Sequence, residues 1–116
     1  MIRIVTFYTY DYNNFIIQTN KRIFKLSTHE QVCIPQLSNY QIINIYIQNH
    51  DHGYLSGRLK KNLMTKILLT NKSASCIYND KNSNIIIKPI IFRNGYDNNI
   101  HITLSLTYRK VMCLTF

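Results

Sequence analysis

From Ile100 to Thr107 the chain alternates without a break, with Ile100, Ile102, Leu104 and Leu106 apolar and His101, Thr103, Ser105 and Thr107 polar. Successive side chains of an extended strand point to opposite faces, so this spacing specifies a strand with one dry face and one wet one. Two further stretches share the period. In Gln41-Ile42-Ile43-Asn44-Ile45-Tyr46-Ile47-Gln48, Ile43, Ile45 and Ile47 fall on one face and Ile42, Asn44, Tyr46 and Gln48 on the other. In Leu63 to Thr70, Leu63, Ile67 and Leu69 oppose Lys66 and Thr70. A chain built on such segments buries its core between sheet faces.

The rest of the chain supplies shorter strands and turns. Ile2 to Tyr10 is β-branched and aromatic and reads as a first strand. Asp11-Tyr12-Asn13-Asn14 is turn chemistry. Phe15 to Thr19 and Ile23 to Leu26 make a hairpin around Asn20-Lys21-Arg22. Ser27 to Asn39 is less regular, with Val32-Cys33-Ile34 a short strand and Pro35 unable to occupy a central ladder position. Ser75 to Tyr78 and Ile85 to Phe92 are strands, and Pro89 places the latter at an edge or bulge. Tyr108 to Phe116 fits either a strand or a short helix.

With 116 residues the chain fits one domain, 1–116, around a single core. Seven or eight short strands about ten residues apart predict an all-β fold, a small antiparallel β-barrel whose closure removes exposed edges. There are 19 Ile against 3 Val and 1 Ala, with 14 Asn and 9 Tyr, the signature of an AT-biased coding sequence from an organelle, an AT-rich parasite or a virus. Such drift weakens arguments from residue identity more than arguments from pattern.

Lys and Arg total 14 against 5 acids, a net charge of +9, which makes a polyanion the expected partner and nucleic acid the default one. Between Asp51 and Asp80 stand Arg58, Lys60, Lys61, Lys66 and Lys72 with no acid. Arg58, Lys60 and Lys61, in the crossing between two strands, are the first candidates for phosphate contacts, then Lys66 and Lys72, then Lys21 and Arg22. Tyr54 beside them is a candidate for stacking on an unpaired base. The plainer reading of the same run is a solvated charged face. Tyr8 and Tyr46 read as wall residues.

Cys33, Cys76 and Cys113 are odd in number and lack CxxC spacing, which suggests neither a disulfide framework nor a zinc ribbon and points to a reducing compartment. Arg3 followed by Ile4-Val5-Thr6-Phe7-Tyr8 is too short and too polar beyond it for a signal sequence or membrane span. His50-Asp51-His52 has the spacing of two metal ligands, or of an acid and base for RNA cleavage. A third ligand from His101, Cys76 or Cys113 has to be assumed, and a hydrated polar loop explains the segment as well. No nucleophile elbow or phosphate-cradling Gly loop is present. The expectation is a protein that is not an enzyme, with no cofactor, no metal, no small-molecule substrate and no membrane.

Several segments, in order, resemble the ribosomal protein L-fourteen family, a small β-barrel of the large ribosomal subunit. Met1-Ile2 with Thr6 and the turn at Asp11 to Asn14 is similar to the family's opening strand and Asp-Asn-Ser-Gly turn. Ile42-Ile43 with Ile45 and Ile47 resembles the strand after its Gly-Asp pair, and Leu59-Lys60-Lys61-Asn62 its Val-Lys-Lys-Gly turn. Lys66-Ile67-Leu68-Leu69 with Lys72 looks like its next strand and Lys-bearing exit, and Asp97-Asn98-Asn99-Ile100 with Ile102 and Leu104 like its Asp-x-Asn and apolar run. The likeness spans residues 1 to 104. The family's Gly-Gly and Arg-Arg segment is replaced by Ser27 to Asn39, and its Gly-Thr-Arg-Ile-Phe-Gly-Pro-Val motif and following helix have no counterpart.

The resemblance implies a structural constituent of a mitochondrial large ribosomal subunit, organelle-encoded. It would bind large-subunit rRNA and neighbouring ribosomal proteins, with small-subunit rRNA across the interface. Two other classes stay open: a small all-β nucleic-acid-binding or shell protein of an AT-rich virus, and a His-dependent ribonuclease.

Overall fold

The computed structural model describes residues 3–50, 59–80, 85–93, 96 and 98–108, and only the backbone of 49–50, 59–61, 85 and 108. Nine strands follow one another: β1 (Arg3–Tyr8), β2 (Asn14–Gln18), β3 (Ile23–Leu26), β4 (Gln31–Gln36), β5 (Tyr40–His50), β6 (Leu59–Thr70), β7 (Ala74–Asn79), β8 (Ile85–Arg93) and β9 (Ile100–Tyr108). The all-β class is as the sequence predicts. The alternating segments become β5, β6 and β9, and the expected hairpin is β2–β3, with Gln18 opposite Ile23.

The strands form two sheets, β4-β1-β9-β8 and β3-β2-β5-β6-β7, and among the described residues no ladder closes them into the expected barrel. The prolines supply a reason. Pro35 lies in β4 and Pro89 in β8, the two edge strands of the four-stranded sheet, and a residue without an N–H cannot extend a ladder outward. The sheets instead stack face to face as a sandwich. The short C-terminal helix considered for 108–116 lies outside the described residues apart from Tyr108, which ends β9.

The core is the set of inward faces. Val5 and Phe7 of β1, Ile34 of β4, Ile87 of β8, and Ile100, Ile102 and Leu104 of β9 meet Phe15 and Ile17 of β2, Ile43, Ile45 and Ile47 of β5, and Ile67 and Leu69 of β6. Each such side chain contributes roughly 1.5–3 kcal/mol by leaving water. The simple alternation expected for Leu63 to Thr70 is broken once. A bulge places Leu63 opposite Tyr46 and Thr65 opposite Ile45, so Leu63 shares the outer face and the extra residue, Met64, turns into the core.

Strand direction alternates along the chain. Odd-numbered strands run one way and even-numbered strands the other, so β1 and β9, the first and last, pair in parallel, Val5 with Ile100 and Phe7 with Ile102. Every connection from an even to an odd strand, β2–β3, β4–β5, β6–β7 and β8–β9, therefore arrives at the end of the sandwich where β1 begins with Arg3.

Candidate nucleic-acid interface

That end is cationic. It carries Lys21 and Arg22 at the β2–β3 turn, Lys72 at the β6–β7 turn, Arg93 at the end of β8, and Arg3. Lys21, Arg22, Lys72 and Arg93 are exposed. The described acids lie elsewhere: Asp11 and Glu30 beside connections at the opposite end, and Asp80 past the far end of β7. A one-signed group of cations on short turns is a fixed field for phosphates.

Two of the turns are built alike. Thr19-Asn20-Lys21-Arg22 and Thr70-Asn71-Lys72-Ser73 each begin Thr-Asn-Lys. The Thr19 hydroxyl accepts from the amides of Lys21 (3.4 Å) and Arg22 (3.2 Å), and the Thr70 hydroxyl from those of Lys72 (3.3 Å) and Ser73 (3.0 Å). A hydroxyl that satisfies the two amides following it holds a tight turn and leaves the lysine pointing to solvent.

The arginines join the sheets at this end. Arg3 is only 5% exposed; its guanidinium donates to Gln36 Oε1 through Nε (2.9 Å) and Nη2 (2.6 Å), and Nη2 also reaches the carbonyls of Thr70 and Ser73. Arg93 donates through Nε to Asn98 Oδ1 (2.7 Å) and through Nη1 to the carbonyl of Lys72 (2.5 Å). Three carbonyls of one turn thus accept from two arginines of the opposite sheet. All these acceptors are neutral, so none of them offsets either positive charge. Burial lowers the Arg3 pKa from its ordinary value, and the charge of Arg93 lowers it further.

Beside the rim, Phe92 of β8 and His101 of β9 are cross-strand partners on the outer face of the four-stranded sheet. Phe92 is 64% exposed and His101 is exposed. An exposed aromatic residue beside exposed cations has the chemistry on which a nucleic-acid base can stack.

The sequence candidates are divided by this geometry. Lys21, Arg22 and Lys72 share the Arg3 end, on turns towards opposite edges of the five-stranded sheet. Lys60 and Lys61 belong to β6 rather than to a turn; they pair with Asn49 and Gln48, roughly 30 Å along the strand from Thr70. Lys66 is half-buried mid-strand, its Nζ 5.8 Å from the centre of the Tyr78 ring, a cation–π contact that gives it a structural partner. Arg58 and Tyr54 lie outside the described residues. The run from Arg58 to Lys72 is therefore spread along a strand, not a single cluster. Tyr8 and Tyr46, read as wall residues, are half-buried.

Sequence reasoning missed Arg3, Arg93 and Phe92, for which the chain carries no motif. The repeated Thr-Asn-Lys signals only that Lys21 and Lys72 share an end, since the turns after β2 and β6 are an even number of strands apart. Of the metal or nuclease segment, Asp51 and His52 lie outside the described residues, and only the backbone of His50 is described. Among the described residues no three His, Cys, Asp or Glu side chains are grouped to hold a metal. His101 and Cys76, offered as further ligands, stand in different sheets.

No protein-family model matches the chain, and neither a curated protein nor a solved structure does.

Proposed function

We propose that this protein is a non-catalytic RNA-binding module that engages phosphates through the Arg3 end of the sandwich and stacks a base on Phe92. The observation that carries this is the placement of Arg3, Lys21, Arg22, Lys72 and Arg93 at one end of the sandwich, with no acid there among the described residues. RNA is taken in preference to duplex DNA because the Arg3 end offers an exposed aromatic and short turns, and among the described residues there is no helix to enter a major groove. The narrower reading, that the RNA is large-subunit rRNA of a mitochondrial ribosome, rests on the ordered resemblance of segments between Met1 and Leu104.

Fluorescence anisotropy with single-stranded RNA tests the first part. Lys21→Gln/Arg22→Gln/Lys72→Gln is expected to weaken binding by an order of magnitude or more at low salt, while Lys60→Gln/Lys61→Gln has a smaller effect. Equal losses from the two variants would remove the Arg3 end as the site. Sedimentation tests the second: the protein should travel with large ribosomal subunits through high salt, and a free protein there would end the ribosomal reading without touching RNA binding.

One observation favours a second reading. Ile90, 52% exposed, and Phe92 face solvent on an edge strand, a surface suited to assembly of a shell from copies of the chain. Light scattering that finds a monomer at micromolar concentration would exclude it.

A further inference from the structure

We propose that the cavity beneath Arg3 is a binding site for a single phosphate group. This deepens the RNA-binding reading by naming a phosphate pocket within the same end, but stands on its own geometry. The cavity, ≈ 190 Å³, is walled by Arg3, Gln36, Leu37, Ser38, Asn39, Asn71 and Asn98. It is smaller than the ~300 Å³ at which sites for drug-sized ligands begin, and apart from Leu37 its lining residues are polar or cationic.

Arg3 is the reason to expect an anion. A buried cation is costly unless a counter-charge meets it. Among the described residues every group that accepts from this guanidinium is neutral, and Nη1 is buried with no hydrogen-bond partner. Arg93 adds a second positive charge nearby, and both arginines are held by carbonyls of the Thr70–Ser73 turn, which fixes the site before any ligand arrives. Asn39, Asn71 and Asn98 also line the cavity; the Ser38 hydroxyl donates to the Tyr40 carbonyl and Asn98 Oδ1 accepts from Arg93, which leaves Arg3 and the asparagine amides as the donors for a ligand. A tetrahedral oxyanion, with acceptor oxygens in every direction, uses such a lining more fully than a planar carboxylate does. The source is either a phosphodiester of RNA or free phosphate, and the chemistry recognised is the same.

The full chain is heated in inorganic phosphate and in chloride at matched ionic strength. At millimolar concentrations the general stabilising action of phosphate on proteins is small, so a specific effect stands out. At tenfold over its Kd, phosphate should raise the folding constant about elevenfold, a Tm shift on the order of 5–10 °C for a domain this size. Arg3→Met should abolish the shift. If that variant does not fold, Asn71→Leu, which fills the cavity from an exposed turn, should abolish it instead, while Lys21→Gln/Arg22→Gln keeps it. Asp97 lies outside the described residues, and Asp97→Asn checks whether that acid already neutralises Arg3: a phosphate shift in this variant but not in the native chain would overturn the proposal. So would equal melting in phosphate and chloride.

A second arm separates the two sources. Competition of phosphate against bound RNA beyond the effect of chloride assigns the site to the RNA backbone. Phosphate stabilisation with no competition assigns it to free phosphate. A protein that binds phosphate but no RNA would defeat the functional reading above and leave the pocket standing.

Discussion

At the scale of single residues, burial and charge separate what stability depends on from what recognition depends on. Phe7 is fully buried between the sheets, and Phe92 is mostly in water. Phe7→Ala should cost roughly 3–5 kcal/mol in urea unfolding, whereas Phe92→Ser should change stability by no more than about 0.5 kcal/mol and appear in RNA affinity instead. Arg3 belongs to both accounts. Its pKa is lowered in the folded state, so the native protein would release that proton before the unfolded chain, and stability would rise with pH only in the strongly alkaline range where arginine titrates. From pH 6 to 9 Arg3 should therefore add no slope to the stability curve. Arg3→Met leaves Gln36 Oε1 without its two donors; adding Gln36→Leu removes that orphan but also the two bonds from Nε2 to the carbonyls of Ser38 and Thr70, so Arg3→Met/Gln36→Leu should be no more stable in urea unfolding than Arg3→Met alone.

At the scale of elements, the turns are specified locally and the strands by what covers them. Thr19→Ala and Thr70→Ala each remove a hydroxyl that serves two backbone amides, and each should destabilise by ~0.5–1.5 kcal/mol, with Thr→Ser nearly neutral at both sites. Chemical denaturation of the four variants checks this. The strands were readable wherever one face is dry: Ile100 to Thr107, Gln41 to Gln48 and the prolines of β4 and β8 announced position as well as type. Reading failed at Leu59 to Asn62. Its Lys-Lys-Asn looks like a turn because β-propensity describes a half-buried pleated surface, and here pairing with Ile47 to His50 overrides it. It failed again at Met64, because a bulge inserts one residue into the period and nothing in an apolar run marks which residue is extra.

At the scale of the whole molecule, charge distribution sets the response to salt. If the five cations of the Arg3 end each neutralise one phosphate of a single strand, log K should fall with log salt with a slope of about −3.5, and the triple Gln variant at Lys21, Arg22 and Lys72 should reduce its magnitude by about 2. Titrations from 50 to 200 mM salt measure both. A native slope that the triple variant leaves unchanged would place the phosphates on another face.

The linear chain by itself determined that this protein is all-β, basic and built on one core, because period-two alternation and net charge are properties of residue order and composition alone. Which cations share an end was decided only in three dimensions. Arg3, Lys21, Lys72 and Arg93 are scattered over ninety positions, and they stand at one end because strand direction reverses at each turn, which brings every second connection there. The choice of sandwich over barrel was likewise tertiary: it follows from which strands became edges, and Pro35 and Pro89 declare an edge without saying to which sheet it belongs.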